Sequence, residues 1–171
     1  MKGNIQVFTG DGKGKTTTAL GMAMRAAGAG LKVFIAQFIK SDDYSEIKAL
    51  ERFSDLISVE QYGLGCFIEE KATPNDIEAA RQGLEKVKRI ISSGEFKVVI
   101  LDEANIAVYF SLFSEQDLLD IIAAKPTEME LIITGRKAPL GIIEKADKAI
   151  EFREIKHYYR KGVTARVGIE K

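Results

Sequence analysis

The sequence predicts an α/β domain in three layers, with helices on both faces of a mostly parallel sheet. Three observations carry this. Short apolar runs alternate with longer amphipathic ones along the chain. A glycine-rich turn, Thr9-Gly10-Asp11-Gly12-Lys13-Gly14-Lys15-Thr16, joins the first apolar run to the first helical segment, and Asp102 and Glu103 directly follow a wholly apolar run. Strands alternating with helices through short loops imply crossover connections, which give parallel sheets.

Ile5 to Phe8 is the first strand, ending at glycines, and residues 16–28 (TTTALGMAMRAAG) form a helix closed by Gly28 and Gly30. Lys32 to Phe38 is a second strand, Ser45 to Phe53 a short helix, and Ile57 to Gln61 a short strand. Residues 62–73 read as irregular. Pro74 opens a long helix with Thr73 as its N-cap, and Ile77, Ala80, Leu84, Val87 and Ile91 recur at the helical period. Phe96 to Leu101 reads as a strand buried on both faces; residues 104–113 fit helix or strand equally by period. Ser114 caps a helix to Ala123, with Asp117 three residues on. Glu130 to Thr134 is a strand, Leu140 to Ala146 a short helix, and Ala149 to Arg153 a last strand, with a final short strand or ordered tail beyond. No repeat or linker interrupts residues 1–171, so one domain is expected.

Composition narrows the function. The 171 residues are 46% hydrophobic and 29% charged, which disfavours disorder. Lys plus Arg and Asp plus Glu are 25 each, so the basic excess of a nucleic-acid binder is missing. One cysteine allows no internal disulfide, and no Cys/His pairs stand at metal-ligand spacing. No basic cap precedes a long apolar run at the start, and no run approaches the ~20 apolar residues that span a bilayer. A soluble, cytoplasmic chain without nucleic-acid or membrane partners is expected.

Residues 9–16 have the chemistry of a phosphate loop. Its three glycines let the backbone approach closely and take positive φ, so that N–H groups line a concavity. The helix starting near Lys15 turns its free N–H groups and positive dipole end toward an anion. Lys15 adds a point charge, and the Thr16 hydroxyl suits a magnesium ion. The strict motif has glycine five residues before Gly14, where this chain has Thr9. The second half of a nucleotide site is an acid at the carboxyl end of a buried strand, where open α/β sheets bind ligands. Asp102 and Glu103 supply it, and one of them is expected to reach Mg²⁺.

The wording of the loop, Phe8 to Thr17 with Thr9 at the first glycine position, resembles the P-loop class of ATP:corrinoid adenosyltransferases. Gln37-Phe38-Ile39-Lys40, Val99 to Glu103, Thr134-Gly135-Arg136 with Ala138-Pro139, and the segment from Arg153 through Lys156-His157 to Gly168-Ile169-Glu170 are similar to that family in order. The resemblance implies a RecA-like P-loop fold and a homodimer. It implies that ATP is bound by Thr9, Gly10, Asp11, Gly12, Lys13, Gly14, Lys15, Thr16 and Thr17, in an orientation reversed relative to ordinary NTPases. A cobalt(I) corrinoid, reduced beforehand by an electron-donor flavoprotein, attacks the 5′ carbon and triphosphate leaves. Lys15, Glu103 and Arg136 are the implied catalytic residues. Thr16 and Glu103, supported by Asp102, are the implied ligands of Mg²⁺ (or Mn²⁺).

Two departures from the family stand out. Its loop after the third strand reads Gly-Phe-x-Trp-Glu, with aromatics that assist corrinoid handling; here Cys66 and Ile68 hold the aromatic positions, with Phe67 between them and Glu69 in register. Phe67 and Glu69 are the corrinoid-side candidates. Many members also carry an N-terminal helical cover over the corrinoid, which is expected here to be absent or to come from elsewhere.

Plainer readings stand beside these. A free cysteine such as Cys66 is more often a small buried hydrophobe than a ligand. His157 reads equally as a hydrogen-bonded surface residue, Tyr158 and Tyr159 as part of a structural tail, and residues 81–89 as a solvated face. Met22 and Met24 read as core or interface filler. Three functions follow, each with its own product: adenosyl transfer gives triphosphate, a RecA-like ATPase or small-molecule kinase gives ADP, and a regulatory module with a degenerate corrinoid site binds ATP without turnover.

Overall fold

The computed structural model describes residues 2–40, 44–65, 68 and 71–169. Within them lie strands β1 (Ile5–Thr9), β2 (Val33–Phe38), β3 (Ile57–Tyr62), β4 (Val98–Asp102), β5 (Glu130–Thr134) and β6 (Lys148–Glu151). They form one sheet in the order β3-β2-β4-β5-β1-β6, and every pairing is parallel. The helices between them are α1 (Lys15–Gly28), α2 (Ser45–Leu50), α3 (Pro74–Ser93), α4 (Ala104–Tyr109), α5 (Glu115–Ala124) and α6 (Leu140–Lys145).

Alternation of side chains along each strand builds the three layers. Phe34, Ala36 and Phe38 of β2, with Val99 and Leu101 of β4, face Ala80, Leu84, Val87 and Ile91 of α3 and Leu118 and Ile121 of α5. Val33 and Ile35 of β2, with Val98 and Ile100 of β4, face Ala19, Leu20, Ala23 and Ala27 of α1. Every residue of β2 and β4 is buried, as central parallel strands require. Each large aliphatic side chain enclosed this way contributes about 1.5–3 kcal/mol.

Local signals hold the helices in place. Thr73 Oγ1 accepts from the Asp76 N–H and Asp76 Oδ2 accepts from the Thr73 N–H, a reciprocal cap at the start of α3. Ser114 and Asp117 repeat this on α5.

The structure moves several expected boundaries. The segment 104–113 resolves as helix α4, followed by a turn in which Ser111 takes φ 58 so that Leu112 and Phe113 return to the core. The helix expected over 45–53 breaks at Leu50 into a 3-10 turn, Glu51–Phe53. Strand β4 starts at Val98 and runs on through Asp102, because Asp102 pairs with Gln37. Strand β6 ends at Glu151, since the backbone of Phe152 is taken up by the glycine-rich loop. No final strand forms among the described residues; a 3-10 turn, Tyr158–Lys161, leads into a tail whose Val167 and Ile169 are exposed and have no face to bury.

The topology sets the site. β5 lies between β1, which feeds the glycine loop, and β4, which carries the acids. Helix α1 packs against both β5 and β4, so a side chain in its first turn reaches the end of β4.

Candidate active site

The loop after β1 is shaped from two directions. Gly10 and Gly14 take φ 92 and 110, and Gly14 precedes α1 with no side chain capping the helix, which leaves its first-turn N–H groups facing outward. A Cβ on Gly10 would collide with the Phe152 carbonyl oxygen, and one on Gly12 would lie 2.8 Å from the carbonyl carbons of Phe152 and Arg153. The Gly12 N–H donates to Phe152 O at 2.8 Å, and the Phe152 N–H donates to Thr9 O at 2.8 Å. So Gly12 turns its donor toward the end of β6 and does not line the expected concavity. Its lack of a side chain serves packing against β6.

Thr9 is likewise explained. Its Oγ1 accepts from the Ala138 N–H at 3.1 Å, tying the loop to the turn after β5. Lys15 is buried, with Nζ donating to the carbonyls of Gly10 and Gly12 at 2.7 Å each. Burial, with the charges of Arg136 and Lys40, lowers its pKa against the opposing pull of Glu103 and Asp11. An ammonium folded over its own loop exchanges carbonyl oxygens for phosphate oxygens when an anion enters.

The centre of the site is Asp102, fully buried. Its Oδ1 accepts from Thr16 Oγ1 at 2.8 Å and Thr134 Oγ1 at 2.7 Å; its Oδ2 accepts from Gln37 Nε2 at 3.0 Å and Lys40 Nζ at 2.9 Å. Each hydroxyl is oriented by a second donor: Lys40 Nζ donates to Thr16 Oγ1 at 3.0 Å, and the Glu103 N–H donates to Thr134 Oγ1 at 3.0 Å. Gln61 Nε2 in turn donates to Gln37 Oε1 at 3.0 Å. Sheet register places these groups, because Gln37 stands opposite both Gln61 and Asp102. A buried carboxylate with four donors is stable where an unpaired one would not be.

Glu103 follows in a left-handed conformation, φ 60, and its carboxylate lies 3.8 Å from Lys40 Nζ. Burial, reinforced by the neighbouring Asp102, raises its pKa; Lys40, Lys15 and Arg136 pull the other way. For Lys40 the balance is reversed. Burial works against its charge, but Asp102 and Glu103 prevail and raise its pKa. Thr16, Asp102 and Glu103 thus form an oxygen cluster already gathered around one cationic group.

That donor set fits a magnesium ion. Mg²⁺ is held by one or two carboxylates plus substrate phosphates and water more often than by a cage of protein ligands. Among the described residues, no group of three or more His, Cys, Asp or Glu side chains stands close enough to be such a cage.

The other sequence candidates sit around this centre. Asp11, Lys13 and Thr17 are exposed on the loop and first turn. Arg136 is exposed after β5, near enough for its charge to act on Lys15 and Glu103. A cavity of about 480 Å³ opens beside the loop, lined by Thr9, Gly10, Asp11, Lys137, Ile143 and Glu151 among others. Phe67, Glu69 and Cys66 lie outside the described residues, while Ile68 packs against the core. His157 caps the 3-10 turn, its Nδ1 accepting from the Tyr159 N–H at 3.0 Å.

Four residues join the site without a role assigned from sequence: Gln37, Lys40, Thr134 and Phe152. The signal for Gln37 and Thr134 is the one that picks out Asp102, a polar residue at the carboxyl end of an apolar parallel strand, while Lys40 lies two residues past the end of β2. Phe152 carries no local signal.

The chain matches over residues 1–170 the family model described as ATP:corrinoid adenosyltransferase BtuR/CobO/CobP. It is 34% identical over 170 residues to the corrinoid adenosyltransferase of Pseudomonas aeruginosa, covering 99% of this chain and 84% of that one. Corrinoid adenosyltransferases of Escherichia coli and Salmonella typhimurium are each also 34% identical over 170 residues, covering 99% of this chain and 86% of theirs. Among solved structures, the KaiC-like protein PH0186 of Pyrococcus horikoshii superposes with a TM-score of 0.58 at 16% identity, covering 91% of this chain and 75% of that one. That last likeness speaks to the fold alone.

Proposed function

The chain belongs to the ATP:corrinoid adenosyltransferase family, and from that premise we propose that it transfers the 5′-deoxyadenosyl group of ATP to the cobalt of a reduced corrinoid, in making or salvaging adenosylcobalamin. The observation that carries the reading is the meeting of Lys15, Thr16, Asp102 and Glu103 where β1 and β4 end.

The reaction is a displacement at carbon. Cobalt(I) donates an electron pair to C5′, the C5′–O bond breaks, and its electrons leave with triphosphate; the cobalt becomes formally cobalt(III). The nucleophile is the substrate metal itself, so the protein need not supply a general base. Its work is to hold the two substrates in line and to stabilise the departing charge. Lys15 and the uncapped first turn of α1 grip the polyphosphate, and Lys13 and Arg136 add charge at the rim. Thr16 and Glu103, supported by Asp102, would hold Mg²⁺ (or Mn²⁺), which supplies further charge neutralisation for the leaving group.

The family resemblance makes Phe67 and Glu69, in the sequence after β3, the residues proposed to meet the corrinoid. A homodimer in the cytoplasm, with cobalt reduced by a flavoprotein, belongs to this proposal and rests on the family resemblance. Incubation with MgATP and chemically reduced cob(I)alamin tests it: triphosphate and a light-sensitive Co–C chromophore are expected. Formation of ADP, or no product, overturns it.

A further inference from the structure

Lys40 is built into the site more firmly than a passing ion pair requires. The residue before it, Ile39, takes φ 68, a left-handed conformation that a β-branched side chain rarely adopts. Gly63 braces this turn. Its N–H donates to Lys40 O at 3.2 Å, and a Cβ there would collide with the Ile39 carbonyl. The result aims Nζ at Thr16 Oγ1 (3.0 Å) and Asp102 Oδ2 (2.9 Å), with Glu103 Oε1 at 3.8 Å.

Hydrogen bonding to Asp102 does not by itself demand this geometry. Three uncharged donors, from Thr16, Thr134 and Gln37, already satisfy that carboxylate. What distinguishes Lys40 is that it touches all three groups read as the metal's ligands. An ammonium and a divalent ion compete for those oxygens, because like charges a few ångströms apart repel strongly in a partly buried site.

We propose that Lys40 is a displaceable counter-ion of the metal site: it holds Thr16, Asp102 and Glu103 in the nucleotide-free protein, excludes a divalent cation until polyphosphate arrives, and then passes to the phosphate oxygens. Metal and nucleotide therefore bind together, and metal alone binds weakly. The proposal rests on the reading of Thr16, Asp102 and Glu103 as the metal site, and it is independent of which bond of ATP is broken.

The test is titration of the full chain with Mn²⁺ alone and with Mn²⁺ plus ATP, following free Mn²⁺ by electron paramagnetic resonance. No corrinoid is present, so a failure of adenosyl transfer leaves the result unaffected. Lys40→Met is expected to bind Mn²⁺ alone about tenfold more tightly than the unsubstituted chain, and to gain less Mn²⁺ affinity from ATP. Lys40→Arg, which keeps the charge, is expected to keep Mn²⁺ binding weak. Should Lys40→Met fold only with Mn²⁺ present, the ion has taken over the ammonium's place and the proposal stands. Mn²⁺ that binds Lys40→Met no more tightly, or fails to restore its folding, overturns it.

Discussion

Thr16 Oγ1 donates to Asp102 Oδ1 at 2.8 Å, joining the first turn of α1 to the end of β4 across the intervening β5. This bond makes the phosphate loop and the acidic strand one unit. Thr16→Ala is expected to lower the rate of triphosphate formation at least about tenfold. Its cost to stability is only about 1 kcal/mol, since Thr134 Oγ1 still donates to the same oxygen. Thr16→Ser retains the hydroxyl and is expected to restore most of the activity. Rates from coupled triphosphate detection, beside urea unfolding curves, check both; a Thr16→Ala enzyme at full rate removes the hydroxyl from the mechanism.

Lys15 is the second target. Among the described residues its hydrogen bonds run to the loop carbonyls of Gly10 and Gly12. Lys15→Ala is therefore expected to leave the thermal midpoint nearly unchanged while cutting turnover by about 10²–10³, the effect of losing one preorganised charge on a leaving group. Steady-state kinetics at saturating ATP measure this. Full turnover would show that the polyphosphate is held elsewhere.

Some of this is written in the sequence and some is not. The capping residues Thr73 and Ser114, each with an aspartate three positions on, act locally and are legible from neighbours alone. Asp102 is legible because it ends a wholly apolar run in a chain that also carries a phosphate loop, and a nucleotide site needs an acid there. Lys40 is not, although it also follows an apolar strand. Its role depends on the β2–β4 register that sets Gln37 opposite Asp102, and on a left-handed Ile39 that no propensity predicts. The segment 104–113 is ambiguous for a related reason, because helix α4 is too short to display a helical period. Gly12 illustrates a subtler gap: its partner, Phe152, is distant in sequence and meets it only once β6 pairs with β1.

The cap on α5 yields a pH prediction. Hydrogen bonds from the Ser114 side chain lower the pKa of Asp117. A carboxyl whose folded pKa lies below its unfolded value stabilises the fold above the unfolded value, about 3.9 for aspartate, and loses that contribution as pH falls through the folded one. Ser114→Ala is expected to cost about 1 kcal/mol at neutral pH. The gap between the two proteins should narrow below about pH 4 as Asp117 protonates. Urea unfolding at stepped pH values decides it; a gap that stays constant into acid means the carboxylate plays no part in the cap.

The contact between the phosphate loop and β6 can be separated from helix effects by two glycines of the same segment. Gly12 does not need positive φ, so any cost of Gly12→Ala comes from space: the new methyl would press on the backbone of Phe152 and Arg153 at 2.8–2.9 Å. That backbone is held by its own bonds to Thr9 and Gly12 and cannot move aside freely. Gly12→Ala is expected to destabilise the protein by about 1–3 kcal/mol and to weaken ATP binding, because the loop must shift as a unit with Gly10 and Gly14. Gly21, inside α1, has no neighbour within 4 Å of where its Cβ would lie. Gly21→Ala is expected to gain about 0.5–1 kcal/mol from helix propensity and to leave ATP binding intact. Chemical denaturation and calorimetric ATP titration of the two variants read out both arms. A Gly12→Ala protein as stable as its parent would mean that the end of β6 yields to the loop, and that β6 does not hold the loop in shape.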